Sequence, residues 1–347
     1  MAAYTTIDDP SAYFKVQLYT GNGSDDLAIT FDDTDTDMQP DFVWIKNRDA
    51  GDSHLLTDSV RGVTKVLYSD STSREDTEAG SVKSITSDGF TVGTLGGINT
   101  NTEKYVSWNW KAGTTSGNDA TAADITPSGY SFNQTSGLSV IAYTGSESSG
   151  DALPHGLGAV PHLMIVKART TVTEGWFVYH HKQHATAEDY ALRLDTTAAT
   201  SDNSIWNDTV PTSVLVEFSA GAGVNGGADY IAYCFAEKQG FSKFGIYKGN
   251  GNVDGTFVNL GFRPAFIMIK YHLGGGNWYM YDTKRSGAYD LFADTGKAET
   301  TAAPIDIVSN GFKIRVLGAV NDANEYVYMA FAEAPFVTSN GVPCNAR

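Results

Sequence analysis

The sequence predicts an all-β protein of three tandem antiparallel β-sandwich domains, jelly-roll or lectin-like in type, and three observations carry that prediction. The first is a segment that recurs as Pro40-Asp-Phe-Val-Trp-Ile-Lys46, Pro161-His-Leu-Met-Ile-Val-Lys167 and Pro264-Ala-Phe-Ile-Met-Ile-Lys270. Each opens on a proline, runs through mostly apolar residues and closes on a lysine, which reads as a strand buried on both faces. The second is that other features keep nearly fixed distances from these lysines. The third is composition: 36 Gly, 18 Tyr and 17 Phe in 347 residues, with few of the runs that exposed helices need.

In chain order, residues 1–12 form an N-terminal arm. Repeat one then spans 13–112, repeat two 138–238 and repeat three 241–337, each about the size of one small domain. Tyr19-Thr-Gly-Asn-Gly23, Tyr143-Thr-Gly-Ser146 and Tyr247-Lys-Gly-Asn-Gly251 precede the three lysines by 27, 24 and 23 residues. Tyr105-Val-Ser-Trp-Asn-Trp110, Tyr230-Ile-Ala-Tyr-Cys-Phe235 and Tyr326-Val-Tyr-Met-Ala-Phe331 follow them with period-two alternation. One face carries Val106, Trp108 and Trp110, or Ile231, Tyr233 and Phe235, or Val327, Met329 and Phe331.

Repeats one and three also share Asp58 with Arg61 and Asp282 with Arg285, expected as ion pairs within each domain. They share the turns Ser87-Asp-Gly-Phe90 and Ser309-Asn-Gly-Phe312 too, expected as type I′ hairpins. Repeat two departs at both places, with Tyr179-His180 where the aspartate would stand. Residues 113–137, rich in Thr, Ser, Gly and Asp, read as a loop or extended linker, and 338–347 as a polar tail. The only helix candidate is Ala185–Leu194. Whole domains in series are expected rather than a thin solenoid.

The formal charge of −16 (24 basic against 40 acidic residues) argues against nucleic acid, whose affinity rests on Lys and Arg displacing counterions. Cys234 and Cys344 are expected as free thiols, so folding in a cytoplasm is the simpler reading. The N-terminus lacks the pattern of a signal peptide and no apolar run is long enough to span a membrane, so neither secretion nor membrane insertion is expected.

Few residues suggest chemistry. Asp32, Asp33, Asp35 and Asp37 resemble the start of a calcium loop but lack its glycine and closing glutamate; a solvated loop is the default, calcium the alternative, and no other cofactor is expected. His180, His181 and His184 have the spacing of a metal pair on a helical turn, against the default of exposed loop histidines. Gly249–Gly255 has no following Lys-Ser/Thr and reads as a turn rather than a phosphate cradle. Trp44, Trp108 and Trp110 belong to core faces, whereas Trp176, Trp206 and Trp278 lie nearer loops and are the candidates for stacking on a glycan. No paired carboxylates, nucleophile elbow or Cys-x-x-Cys is present, so no catalytic residue is expected.

The segments Tyr4-Thr-Thr-Ile-Asp-Asp-Pro-Ser-Ala-Tyr-Phe14, Pro40–Arg48, Asp58-Ser-Val-Arg-Gly62, Ser107-Trp-Asn-Trp-Lys-Ala112 and Gly341-Val-Pro-Cys-Asn-Ala-Arg347 resemble a family of virion structural proteins of tailed phages of marine bacteria and cyanobacteria. The resemblance runs from end to end. It implies a non-enzymatic virion component, a tail fibre or tail-associated adaptor, with other virion proteins and a host-surface glycan as partners and a homotrimer as the favoured assembly. The alternatives are a capsid decoration protein that clamps coat subunits and, more remotely, a glycan depolymerase. It supplies no catalytic residue.

Overall fold

The structure is a computed structural model that describes residues 4–31, 36–118, 121–170, 174–301 and 303–344. It is all-β, with antiparallel sheets throughout. The three proline-lysine segments are the central strands Phe42–Asn47, Leu163–Ala168 and Phe262–Tyr271, and the first two are buried at every residue. In each repeat the central strand pairs on one side with a closing strand, Lys104–Trp110, Asp229–Phe235 or Glu325–Pro335. Beyond the closing strand lies the first strand of the repeat, Phe14–Thr20, Leu138–Thr144 or Ser242–Lys248, which is the sheet's edge in repeats one and three. On its other side the central strand pairs with a hairpin strand, Leu55–Asp58, Phe177–His180 or Trp278–Asp282.

Double-sided burial has a simple cause: each large sheet lies between two other layers. One face meets a small sheet of its own repeat. In repeat one, Val43 and Ile45 pack against Ile29, Val82, Phe90 and Val92 of that layer; in repeat two, Met164 and Val166 pack against Leu153, Val216 and Phe218. The opposite faces converge on a shared core, to which Phe42, Trp44 and Trp108, Leu163, Ile165 and Tyr233, and Phe266, Met268 and Met329 all belong. Trp110, Phe235 and Phe331 hold the same position on their closing strands and meet pairwise, with ring centroids 6.4, 5.8 and 5.6 Å apart. They mark an approximate threefold axis. Each buried aromatic side chain contributes roughly 1.5–3 kcal/mol, so a lone repeat, with this face bare, would be poorly stable.

Several expectations are corrected. The repeats do not hang in series; they close into a ring around one core. Residues 113–137 are not only a linker, because Pro127–Asn133 is a strand paired along the edge of repeat two. Ala185–Leu194 is a 3-10 turn, Ala187–Asp189, running into the strand Tyr190–Arg193. The shared turns place positive φ on Gly89 (122°) and Gly311 (159°) and on neither residue before them, so they are not type I′. A Cβ on Gly89 would sit 2.0 Å from the Ile29 carbonyl oxygen, which is why glycine stands there.

Candidate functional site: the seams between repeats

Several of the residues that recur through the sequence lie where one repeat meets the next. At the seam between repeats one and two, Arg61 Nε donates to Asp58 Oδ2 at 2.5 Å, with both side chains fully buried. The Tyr233 hydroxyl of repeat two donates to the same oxygen at 2.7 Å, and its ring stacks on Phe42 at 4.3 Å. Arg61 also reaches Glu75 at 3.2 Å, and Glu75 takes both Nε and Nη2 of Arg169, at 2.9 and 3.1 Å. Burial opposes the Arg61 charge, but Asp58, Tyr233 and Glu75 hold its pKa above the usual value.

The seam between repeats three and one repeats this part for part. Arg285 Nε donates to Asp282 at 2.7 Å and its Nη1 reaches Glu299 at 3.1 Å. Trp108 Nε1 donates to Asp282 Oδ2 at 3.1 Å, in the place of Tyr233. Arg48 grips Glu299 through Nε and Nη2 at 2.9 and 2.8 Å. Asp58, Arg61, Asp282 and Arg285 therefore do form ion pairs within their repeats, as expected, and each aspartate also receives a donor from a neighbouring repeat.

The seam between repeats two and three has the same backbone and different chemistry. Leu163 pairs with His180 in the register that sets Phe42 against Asp58 and Phe266 against Asp282. Gln183 stands where the arginine would be, and His272, two residues after Lys270, where Arg48 and Arg169 stand; both are buried. The position of Tyr233 and Trp108 is Met329, which cannot donate. His180 bonds instead to the Tyr328 carbonyl at 3.1 Å, and burial, with His181 beside it, pushes its pKa down to about 3.

Two of the three lysines also work at the seams. Lys167 Nζ donates to the carbonyls of Ala168 and of Thr72 in repeat one, at 2.8 and 3.2 Å. Lys270 donates to Gly276 and to Thr197 of repeat two, the latter at 2.9 Å. Lys46 bonds within its own repeat, to Asn47 and Ala50. Burial lowers the pKa of all three to about 8.

The glycan-stacking candidates are overturned, because Trp176, Trp206 and Trp278 are 0, 0 and 2 % exposed. Trp176 Nε1 donates to the Tyr68 carbonyl of repeat one at 2.9 Å, and Trp278 Nε1 to the Arg193 carbonyl of repeat two at 2.8 Å. These are equivalent positions, each bolting one repeat to the one before it. Trp206 is inside repeat two and bonds to Tyr190. A signal for this was present in the sequence: Trp176 and Trp278 follow their lysines by nine and eight residues, with His54 eight after Lys46.

The histidine cluster is no metal pair. His180 is buried rather than exposed, His181 bonds to the Phe244 carbonyl at 2.7 Å, and His184 stacks on Tyr190 at 3.9 Å. Asp32, Asp33 and Asp35 lie outside the described residues, and Asp37 is exposed. Among the described residues no group of three or more His, Cys, Asp or Glu side chains is placed to hold a metal ion, and no helix is long and apolar enough to cross a membrane. Cys234 is a buried free thiol and Cys344 a partly exposed one.

A family model described as a domain of unknown function (DUF7483) matches residues 9–335. The chain belongs to this family. One match thus runs across the three repeats that share the core. No curated protein and no solved structure matches the chain.

Proposed function

We propose that the protein is a non-enzymatic structural component of a tailed-phage virion, a tail fibre or tail-associated adaptor that assembles with other virion proteins. One observation supports the non-enzymatic reading: the Asp58-Arg61 and Asp282-Arg285 pairs that repeats one and three share are fully buried where one repeat meets the next, and no substrate reaches them. The virion assignment rests on the resemblance of the terminal segments and of Pro40–Arg48 to phage structural proteins. A compact ring of three repeats around one core also fits a second reading, a capsid decoration protein.

The test is to band particles on a density gradient and probe them with gold-labelled antibody to the purified protein. Label on the tail supports the first reading and label on the head the second. A protein that stays with the soluble fraction of infected cells and is missing from banded particles overturns both.

A further inference from the structure

An open groove runs along repeat three between its edge strand, Ser242–Lys248, and the small-sheet strand Phe257–Asn259. Two adjoining cavities of about 490 and 360 Å³ occupy it and share Glu237, Lys243 and Asn259. Along Ser242–Lys248, alternate residues bond to the closing strand and the others face the groove. At Phe244 the outward groups are held by side chains, the N–H by Glu237 at 3.2 Å and the C=O by His181 at 2.7 Å. At Ile246, among the described residues, nothing bonds to the outward N–H and C=O. Ile246 and Phe257 stand 39 and 45 % exposed at its mouth.

Repeat two shows what fills such a groove. There the equivalent strand, Leu138–Thr144, is covered by Pro127–Asn133, which pairs with it antiparallel and sets Ser131 against Val140 and Gly129 against Ala142. Val140 and Ala142 are the counterparts of Phe244 and Ile246. The same covering segment buries Ile125 and donates the N–H groups of Asp124 and Ile125 to Ala152, on the counterpart of Phe257–Asn259. The slot is therefore filled in repeat two and unfilled in repeat three; the equivalent strand of repeat one, Phe14–Thr20, is likewise the last of its sheet. The unfilled copy in repeat three also carries more basic than acidic groups on a molecule of charge −16, with Lys182 and Lys243 beside the single carboxylate of Glu237.

We propose that the groove of repeat three is a docking site for an extended segment of a partner polypeptide, which adds antiparallel to Ser242–Lys248 as Pro127–Asn133 does to its neighbour. The segment carries apolar or aromatic side chains at alternate positions, to cover Ile246 and Phe257, and a carboxylate toward Lys182 or Lys243. It takes the Ile246 pair directly and the Phe244 pair in exchange for His181 and Glu237.

The test pans a displayed library of random twelve-residue peptides on the full chain. Enriched peptides are then measured by fluorescence anisotropy against the wild type, Ile246→Pro, Ile246→Lys and the remote surface control Val210→Lys. Proline removes the open donor and lysine guards the edge with a charge; melting curves confirm that each variant is folded, and Ile246→Lys decides if the proline variant is not. The expected result is enrichment of alternating, acidic peptides whose affinity falls at least tenfold in the Ile246 variants and holds in the control. No enrichment, or binding undiminished in the Ile246 variants, overturns the proposal. So does self-association of the wild type that the Ile246 variants abolish, since the occupant is then a second copy of this chain.

Discussion

Two of the three seams are ionic and one is neutral, although all three have the same strand register. Where Asp58 and Asp282 are buried, each meets an arginine three residues on and a Tyr233 hydroxyl or Trp108 indole from a neighbouring repeat. Where His180 replaces the aspartate, the arginine has become Gln183 and the cross-repeat donor Met329. The set changes as a unit, because a lone carboxylate or a lone guanidinium in that space would be a buried charge without its counterpart. Drift in repeat two is thus a second solution to the same packing problem.

The largest expected effect breaks an ionic seam from one side. Asp58→Ala leaves Arg61 buried without its nearest counter-charge and should cost about 3–5 kcal/mol in urea unfolding. The double replacement Asp58→Leu with Arg61→Met removes both charges and should cost clearly less, by the same measurement. Equal losses would mean that packing, and not charge, holds that seam.

The next effect separates the neutral seam by pH. The pKa of His180 is lowered on folding, by burial and then by His181, with His272 and His162 also facing it. The unfolded chain therefore binds more protons below about pH 6.5. This contribution to stability is fully present above that value and is lost as pH falls toward about 3, at up to roughly 1.4 kcal/mol per pH unit for one group. Urea midpoints from pH 7 to pH 4 should fall less steeply in His180→Gln, and an unchanged slope would remove His180 as the cause.

A smaller effect tests the equivalence of the bolts. Trp278→His puts into the seam between repeats two and three the residue that repeat one carries as His54, and it should cost about 2–3 kcal/mol, less than the 3–5 of Trp278→Ala, by thermal or urea unfolding. Smallest is Asp37→Asn on the exposed loop, expected within about 0.5 kcal/mol.

Local features were legible in the sequence and contacts across repeats were not. The central strands could be read because an apolar run that begins at proline and ends at lysine is a local pattern, and its threefold recurrence set the three origins. The direction in which Lys167 and Lys270 point was hidden, since their partners Thr72 and Thr197 come from a different repeat. Trp176 and Trp278 were misread for the same reason: they are near loops in sequence and at the seams in space. The fixed offset from each lysine was the better guide. Strand Pro127–Asn133 was missed because its proline, serines and glycine match linker chemistry, and only the edge of Leu138–Thr144 makes it a strand.

The triangle of Trp110, Phe235 and Phe331 carries a consequence for ancestry and design. Three equivalent side chains meeting on one axis is the arrangement of a cyclic trimer, here with its protomers covalently joined in one gene product. Such tethering relaxes selection on each copy, for a seam that would have to change in all three places of a symmetric assembly can change in one. A gene for a single repeat bearing the aspartate, arginine and glutamate set, together with the arginine that receives it, should yield a chain that rebuilds the ring from three separate molecules.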